Sequence, residues 1–505
     1  MASIFEGLQP ERVWHHFEAI TRLPHGSGNE DAVRRYIADF AVKMGFEHFY
    51  NSDAPSDAPG DRTVVIYKKA APGLEHQPTV VLQAHMDMVC VPHDQIFPLR
   101  LLSCDSQGGP GAGWVKAGGY SAADGTSLGA DDGIGVALAL AILEENRYPL
   151  GPLEALFTVQ EETGLIGARE FDPDLIRGRI LINLDEEDVK KITYGCAGGI
   201  DSIFRYTVGR ETVPSHCRYG EVSISGLKGG HSGMAIHEGG ANAIRLLTRI
   251  LNRAWHEKIG YHLADIHGGR IGQTNVIPSQ AFAGVVLAEA DLKRFEALVA
   301  DMDAAFRQEY QPAEPGLQVH WRQLDPPAEM LDREGTAWIG RILMALPHGV
   351  QKMTAVGNAV ETSTNLAVVA VNGKEVTVIC KHRSSRESGL NWMADLHRAL
   401  AAGAGAAYSQ GERYPVWTPD EASDLLRKAR SVYEAQFKGD YEATVIHAGL
   451  ECDWVVEKYK HGPPMDCIAV GPTLLEPHTV RERLEIASVA AIYSVVLQIL
   501  QLYAH

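Results

Sequence analysis

The sequence predicts an α/β fold in which one domain is interrupted by an inserted α+β domain. Strand-like and helix-like segments alternate up to about residue 204, which is typical of a sheet covered by helices on both faces. Near residue 205 the pattern changes to strands separated by long helical stretches, and after Tyr414 the first pattern returns. Because 505 residues are too many for one core, we predict a domain with a mixed sheet from residues 1–204 and 411–505, and an insert at residues 205–410.

The individual elements follow from short apolar runs, which predict buried strands, and from apolar residues at helical spacing. In the first domain they are a helix at 29–44, strands at 63–67 and 79–82, a helix at 134–145, strands at 156–159 and 180–184, helices at 420–438 and 449–458, a strand at 467–470 and a helix at 483–503. In the insert they are strands at 204–208, 221–225, 281–288, 317–324, 364–371 and 375–380, with helices at 241–255, 291–310 and 334–346.

Charge and composition exclude several classes of partner. The net charge of −18 and the pI of about 5.6 argue against nucleic acid and anionic membranes, which both require a basic surface. The seven cysteines form no Cys-x-x-Cys pair, so we expect reduced thiols and no cysteine metal ligands. The apolar segment Ile134–Leu143 is too short to span a bilayer, and the N-terminus has no signal-like core. We therefore expect a cytoplasmic protein.

The residues His85 and Asp87 follow the predicted strand at 79–82 by three and five positions. Open α/β sheets bind ligands at the carboxyl ends of their strands, and residues two positions apart in a strand point to the same side. The imidazole of His85 suits Zn, Co or Mn, and an acidic residue behind it can fix its tautomer. The pair therefore indicates the first ligand of a metal site, with Asp87 as its support.

Two acidic pairs follow further along the chain. Asp131 and Asp132 lie in a glycine-flanked turn before the predicted helix at 134–145, where a carboxylate can bridge two metal ions or simply cap the helix. Glu161 and Glu162 follow a predicted strand, where one can bind metal while the other acts as a general base. The alternative for the second pair is a solvated acidic turn.

Two more candidate ligands complete the set. Asp185 follows the predicted strand at 180–184, and His478 follows the strand at 467–470 after a Gly-Pro loop. The charged residues 186–188 are interpreted as a solvated run. Two histidines and three or four carboxylates without cysteine suit two closely spaced zinc-class ions. Such a centre can polarise a carbonyl and generate hydroxide from water near neutral pH.

Seven short motifs lie along the chain. Four are Gln-Ala-His-Met-Asp at 83–87, Leu-Gly-Ala-Asp-Asp-Gly at 128–133, Glu-Glu-Thr-Gly at 161–164 and Asn-Leu-Asp at 183–185, and three more lie at 194–201, 226–233 and 447–452. The first four resemble motifs of the M20 family of dizinc peptidases. The last three resemble its aminoacyl-histidine dipeptidase branch, which includes cytosol nonspecific and carnosinase-like dipeptidases. The resemblance extends over nearly the whole chain.

The resemblance implies a role for each site residue in an aminopeptidase-type catalytic domain. His85 and Asp185 would hold one zinc ion, Glu162 and His478 the other, and Asp131 would bridge them. Asp87 would orient His85, and Glu161 would be the general base. The choice of Asp131 over Asp132 rests on the family pattern and not on the spacing, and this chain departs from that pattern because the family often has Asn at the position of Asp132. Co or Mn could replace the two Zn ions.

The insert would be the family's lid and dimerisation domain. The resemblance implies that His231 stabilises the oxyanion, sometimes from the partner subunit of a homodimer, and that Asn275 and Arg383 bind the substrate carboxylate. The alternative for Arg383 is a surface ion pair. Glu451 could contact the substrate amino group, or it could be a buried carboxylate paired inside its domain.

The expected function is that of a cytosolic zinc dipeptidase. In the family, Asp at the position of Asp185 accompanies amino- and dipeptidases, whereas Glu accompanies carboxypeptidases and acylases. A hydroxide bridging the two ions would hydrolyse small unblocked dipeptides, among them Xaa-His types such as β-Ala-His. The alternatives are a tripeptidase or N-acyl amino acid deacylase of the same fold, and a catalytically silent peptide-binding protein.

Overall fold

The computed structural model describes residues 3–109, 111–118, 125–354 and 359–504. The strands are β1 Glu47–Phe49, β2 Val64–Lys68, β3 Val80–His85, β4 Arg100–Cys104, β5 Trp114–Gly118, β6 Leu153–Thr158, β7 Ile180–Asn183, β8 Lys191–Cys196, β9 Gly198–Thr207, β10 Arg210–Thr212, β11 Cys217–Ser225, β12 Tyr261–Gly268, β13 Ala281–Ala288, β14 Gln318–Leu324, β15 Glu329–Leu331, β16 Gly349–Met353, β17 Val360–Asn372, β18 Glu375–Ser384, β19 Ala407–Tyr414, β20 Glu442–Ile446, β21 Asp466–Ala469, β22 Leu474–Leu475 and β23 Arg483–Glu485.

The described α-helices match the predicted helices to within a few residues and add three more, α1, α4 and α8, while α3 starts four residues earlier than predicted. They are α1 Glu11–Ile20, α2 Asp31–Met44, α3 Ala130–Leu143, α4 Ile166–Glu170, α5 Ala243–His256, α6 Glu289–Tyr310, α7 Arg333–Ala345, α8 Glu387–Gly403, α9 Asp424–Phe437, α10 Glu451–Lys458 and α11 Ile486–Leu502. None of the helices in the described part of the chain is both long enough and apolar enough to cross a bilayer.

The chain divides into two compact units, and the first contains residues 1–195, 419–445 and 450–505. Its main sheet has the strand order β1-β2-β6-β3-β7-β21-β8-β20. Strands β6, β3, β7 and β21 are parallel neighbours, whereas β1 and β2 are antiparallel at one edge. Helix α3 packs on β3, and from Gly133 onward it is apolar on every side, which explains why these residues are all buried.

The second unit contains residues 196–418 and 446–449. Its sheet is antiparallel, with the order β14-β11-β13-β12-β17-β18-β9-β19 and β16 beside β17. Helices α5, α6 and α7 cover this sheet and share its apolar core. Strand β12 has no counterpart in the prediction because polar residues such as His262 and His267 occupy its half-exposed positions.

The mixed α/β architecture with an inserted domain is confirmed. The units begin and end slightly away from the predicted ranges 1–204, 205–410 and 411–505, because β9 starts at Gly198 and pairs with β19, which runs to Tyr414. The four residues 446–449 also belong to the second unit.

Candidate metal centre

The parallel strands of the first unit bring the predicted ligands to one edge of the sheet. His85 is the last residue of β3. Strand β3 pairs with β6 on one side and with β7 on the other. Strand β6 ends shortly before Glu161 and Glu162, and β7 ends two residues before Asp185. Because the carboxyl ends of parallel neighbours meet at the same edge, these side chains converge.

The two oxygens of Asp131 face two different groups. Oδ1 lies 3.0 Å from His85 Nε2, which is also 3.7 Å from Asp185 Oδ1. Oδ2 lies 2.9 Å from His478 Nε2, which is also 2.8 Å from Glu162 Oε1. One carboxylate therefore stands between a His-Asp pair and a His-Glu pair.

Asp132 points its carboxylate at the main chain instead. Its Oδ1 accepts from Gly135 N at 3.1 Å and its Oδ2 from His85 N at 3.3 Å. Asp131 and Asp132 both have non-helical dihedral angles, so the regular part of α3 starts after them and Asp132 caps it. The two roles that the sequence left open, capping and facing the candidate ligands, are divided between neighbouring residues.

Asp87 is fully buried and contacts the segment that carries both glutamates. It accepts from Glu161 N at 3.0 Å, from Glu162 N at 3.3 Å and from Ser27 Oγ at 2.7 Å. His85 Nδ1, in contrast, is 3.1 Å from the main-chain carbonyl of Asp87 and 3.5 Å from its carboxylate. The nearer partner of His85 Nδ1 is thus the main-chain carbonyl, and an orienting role for the Asp87 carboxylate stays a prediction. No pattern in the sequence singled out Ser27.

Burial of so many carboxylates together makes the site electrostatically unfavourable without cations. Burial, reinforced by Asp131, raises the pKa of Asp185 to about 7. Burial also raises the pKa of Glu161 and of Glu162, with contributions from the acidic neighbours of each. Glu162 Oε1 is buried and has no hydrogen-bond partner, although it lies close to His478.

The donor set fits zinc-class ions. Ligand atoms lie within 4.8 Å of one another in three groups: His85 with Glu161 and Glu162, His85 with Asp132 and Asp185, and Asp131 with Glu162 and His478. Imidazole nitrogens and carboxylate oxygens are suitable ligands for Zn, and also for Co and Mn. Two cations would neutralise the buried carboxylates.

Backbone strain accompanies these ligands. Gln160 and His478 have φ values of 54° and 59°, in the left-handed region that non-glycine residues rarely adopt. Such conformations persist where the surrounding contacts impose them, and they cluster at functional sites. Gln160 directly precedes the predicted base Glu161, and His478 is itself a predicted metal ligand.

Glu451 lies in the interior of the first unit. Its side chain is fully buried and accepts from Thr158 Oγ1 at 2.7 Å and from Gln83 Nε2, while Gln83 in turn accepts from Asn183. Burial raises the pKa of Glu451 to about 7. The structure thus corresponds to the alternative of a buried, paired carboxylate, and a contact with the substrate amino group stays a prediction.

One residue of the acidic run differs from expectation. Glu186 is not simply solvated: its carboxylate accepts from Thr193 Oγ1, and burial raises its pKa. Thr193 is a fully buried residue of β8, so this hydrogen bond directs the Glu186 carboxylate towards the sheet.

The second unit brings together the three residues predicted from the insert. Arg383 Nη2 donates to His231 Nε2 at 3.1 Å, and Asn275 O accepts from Ser232 N at 2.7 Å. Gly230, with a φ of 131°, allows the turn that carries His231. Burial, together with Arg383 and Lys381, lowers the pKa of His231 to about 4. Asn275 itself is exposed.

Arg383 is not the surface ion pair that the sequence left open. Only 7% of its surface is exposed, and among the residues that the structure describes no carboxylate forms an ion pair with it. A buried guanidinium without an acidic partner is suited to binding an anion.

Comparison with known proteins identifies the family. Residues 221–314 match the peptidase dimerisation domain of M20 proteins. The chain is 34% identical to the cytosol non-specific dipeptidase of Escherichia coli (strain K12), over 98% of this chain and 98% of that protein. The chain belongs to the M20 peptidase family. The expected resemblance and the hydrolase class are thereby confirmed.

Solved structures agree with this assignment. This M20 peptidase superposes on the aminoacylhistidine dipeptidase of Vibrio alginolyticus with a TM-score of 0.84 and 32% identity, covering 99% of this chain and 98% of that one. A tripeptidase from Staphylococcus aureus shares the fold, with a TM-score of 0.55 and 16% identity over 98% of this chain and 99% of that one.

Proposed function

We propose that this M20 peptidase is a cytoplasmic, metal-dependent dipeptidase that hydrolyses small unblocked dipeptides, including Xaa-His. The observation that carries the proposal is the geometry of Asp131, whose two oxygens face His85 and His478 separately. The names of the Escherichia coli and Vibrio alginolyticus relatives, both dipeptidases, support the substrate class.

Five residues would hold two zinc-class ions. His85 and Asp185 form one group and Glu162 and His478 the other, and Asp131 is shared between them. Bound ions of this kind polarise a scissile carbonyl and lower the pKa of water. The native metal is proposed to be Zn, with Co or Mn as substitutes.

Glu161 would act as the general base that transfers a proton from the attacking water to the leaving amine. Its main-chain N–H donates to Asp87, and its carboxylate lies within 4.8 Å of ligand atoms of His85 and Glu162. A carboxylate whose pKa is raised by burial can accept a proton from the attacking water and then donate it to the leaving amine. Asp87 supports this role by holding the Glu161 main chain.

The substrate's charged ends define the remaining roles. Arg383 and Asn275 would bind the carboxylate of the dipeptide, and His231 would stabilise the oxyanion. Glu451 is proposed to contact the amino group of the substrate. The match to the peptidase dimerisation domain supports a homodimer that forms through the inserted domain.

Replacing Glu161 tests the proposed chemistry. Glu161→Gln should lower kcat by about 10²- to 10⁴-fold, while the zinc content measured by mass spectrometry stays that of the wild type. Glu170→Gln, a comparable change at a helix end nearby in sequence, is the matched control and should leave kcat unchanged. An unaltered kcat in Glu161→Gln would exclude Glu161 as the base.

A substrate panel separates the related activities. Initial rates are compared on β-Ala-His, a tripeptide and an N-acetyl amino acid. The proposal requires the unblocked dipeptide to be hydrolysed fastest. A preference for the tripeptide or the blocked amino acid would indicate the corresponding peptidase or deacylase, and no turnover with Zn²⁺, Co²⁺ or Mn²⁺ would indicate a peptide-binding protein.

A further inference from the structure

Glu482 is a buried carboxylate that receives several main-chain N–H groups. It is 2% exposed. Its Oε2 accepts from Leu128 N at 2.7 Å and Gly129 N at 3.0 Å, and its Oε1 accepts from Ala130 N at 2.7 Å and Asp131 N at 3.4 Å. Charge-assisted bonds of this kind are stronger than bonds between neutral groups.

The N–H groups of residues 128–131 depend on an acceptor from outside the helix, because at the start of a helix they have no helical partner. Gly129 is left-handed with a φ of 68°, and Asp131 is non-helical although it lies at the start of α3. The N–H groups at the beginning of a helix have no intrahelical partner, and leaving them buried and unpaired is costly. The Glu482 carboxylate satisfies them together.

The same carboxylate joins two segments that are remote in sequence. Glu482 is four residues after His478, and its own N–H donates to Thr479 O at 3.2 Å. Glu482 thereby connects the turn that carries His478 to the turn that carries Asp131. The side chains of these two residues meet at 2.9 Å.

We propose that Glu482 is a positioning residue for the metal centre: it holds the main chain of Asp131 in place relative to His478, so that the two Asp131 oxygens face both metal positions. This inference rests on the proposed assignment of Asp131 and His478 as ligands. The four hydrogen bonds that the Glu482 carboxylate accepts all come from main-chain N–H groups, so its proposed effect on the ligands is transmitted by the backbone.

The test compares two chemically identical changes in the metal-free, full-length protein. Glu482→Gln places an amide NH₂ against main-chain N–H donors. The control is Glu154→Gln, because Glu154 is also 2% exposed and accepts from Arg177 N and Gly178 N, both at 3.0 Å, at the opposite end of β6 from the ligands. Zn²⁺ affinity and stoichiometry are measured by titration against a competing chelator, and Co²⁺ absorption spectra report the ligand geometry.

We expect Glu482→Gln to weaken Zn²⁺ binding by about 10- to 100-fold, as changes behind metal ligands typically do, and to alter the Co²⁺ spectrum. Glu154→Gln should bind as the wild type does. An equal loss of affinity in both variants, or wild-type affinity and spectrum in Glu482→Gln, would overturn the positioning role.

A second variant keeps the test decisive if Glu482→Gln does not fold. Glu482→Asp retains the charge but is shorter by one methylene group, and it should also weaken Zn²⁺ binding; wild-type affinity there would overturn the proposal. The wild-type titration separates this inference from the proposed function. If the wild type binds no pair of ions, the proposed metal centre is wrong, whereas a wild-type pair that survives in Glu482→Gln refutes only the positioning role.

Discussion

Replacing Asp87 by Asn tests whether the Asp87 carboxylate supports activity by holding the main chain of Glu161, the proposed general base, or by orienting His85. In the wild type, its two oxygens accept from Glu161 N, Glu162 N and Ser27 Oγ. An Asn side chain presents one oxygen and one NH₂ group. The Ser27 hydroxyl can reverse its direction and accept, but a main-chain N–H at residue 161 or 162 loses its acceptor.

The magnitude follows from that single lost bond. A hydrogen bond to a charged group contributes about 1.5–3 kcal/mol. With about 1.4 kcal/mol for each factor of ten, kcat should fall by about 10- to 100-fold if this energy is used to hold Glu161 in place. The main-chain carbonyl of residue 87 remains 3.1 Å from His85 Nδ1, so Zn²⁺ affinity should change less than kcat.

The assay is steady-state hydrolysis of an unblocked dipeptide, with zinc affinity measured on the same preparations. Asp466→Asn is the matched control, because Asp466 also accepts from a serine hydroxyl, Ser423, and from a main-chain N–H, Leu425 N, in the same unit. A wild-type kcat in Asp87→Asn would refute the reasoning. A loss of zinc affinity larger than the loss of kcat would show that Asp87 acts mainly through His85.

Two further predictions concern stability. Removing metal with a chelator should lower the thermal unfolding temperature, because the buried carboxylates Glu161, Glu162 and Asp185 lose the cations that stabilise them, and added Zn²⁺ should restore it; an unfolding temperature indifferent to metal would contradict the metal centre. Separately, burial lowers the pKa of His397 to about 4, so the folded protein favours the neutral ring and loses stability as pH falls from 6.5 towards 4. At pH 5 the loss from this residue is about 2 kcal/mol. In urea unfolding, His397→Phe should remove this pH dependence, whereas Phe204→Leu in the same aromatic cluster should lower stability equally at pH 5 and pH 7; a His397→Phe protein with the wild-type pH dependence would exclude the effect.

Local sequence patterns predict much of the fold and many residues of the candidate site. The apolar run ending at His85 and the run before Asp185 predict adjacent strands, and the structure pairs them as parallel neighbours. Parallel pairing then brings their ends to one edge, which is why ligand types could be proposed from strand ends. Strand β12 and helix α8 were not predicted, because about half of the surface of each is polar. Their burial also depends on partners that are distant in sequence.

By itself, the sequence determined the α/β class with its insert, the family, and the kinds of residue available as ligands, because these depend on composition, periodicity and motif. Only the tertiary structure decided which oxygen faces which partner. Asp131 and Asp132 are chemically identical neighbours, and their separate roles come from backbone angles and from contacts with His85, Gly135 and His478. Likewise, the Glu482 side chain is held by hydrogen bonds from main-chain N–H groups that lie about 350 residues earlier in the chain. A hydrogen bond between remote segments leaves no local pattern, so the folded chain alone reveals it.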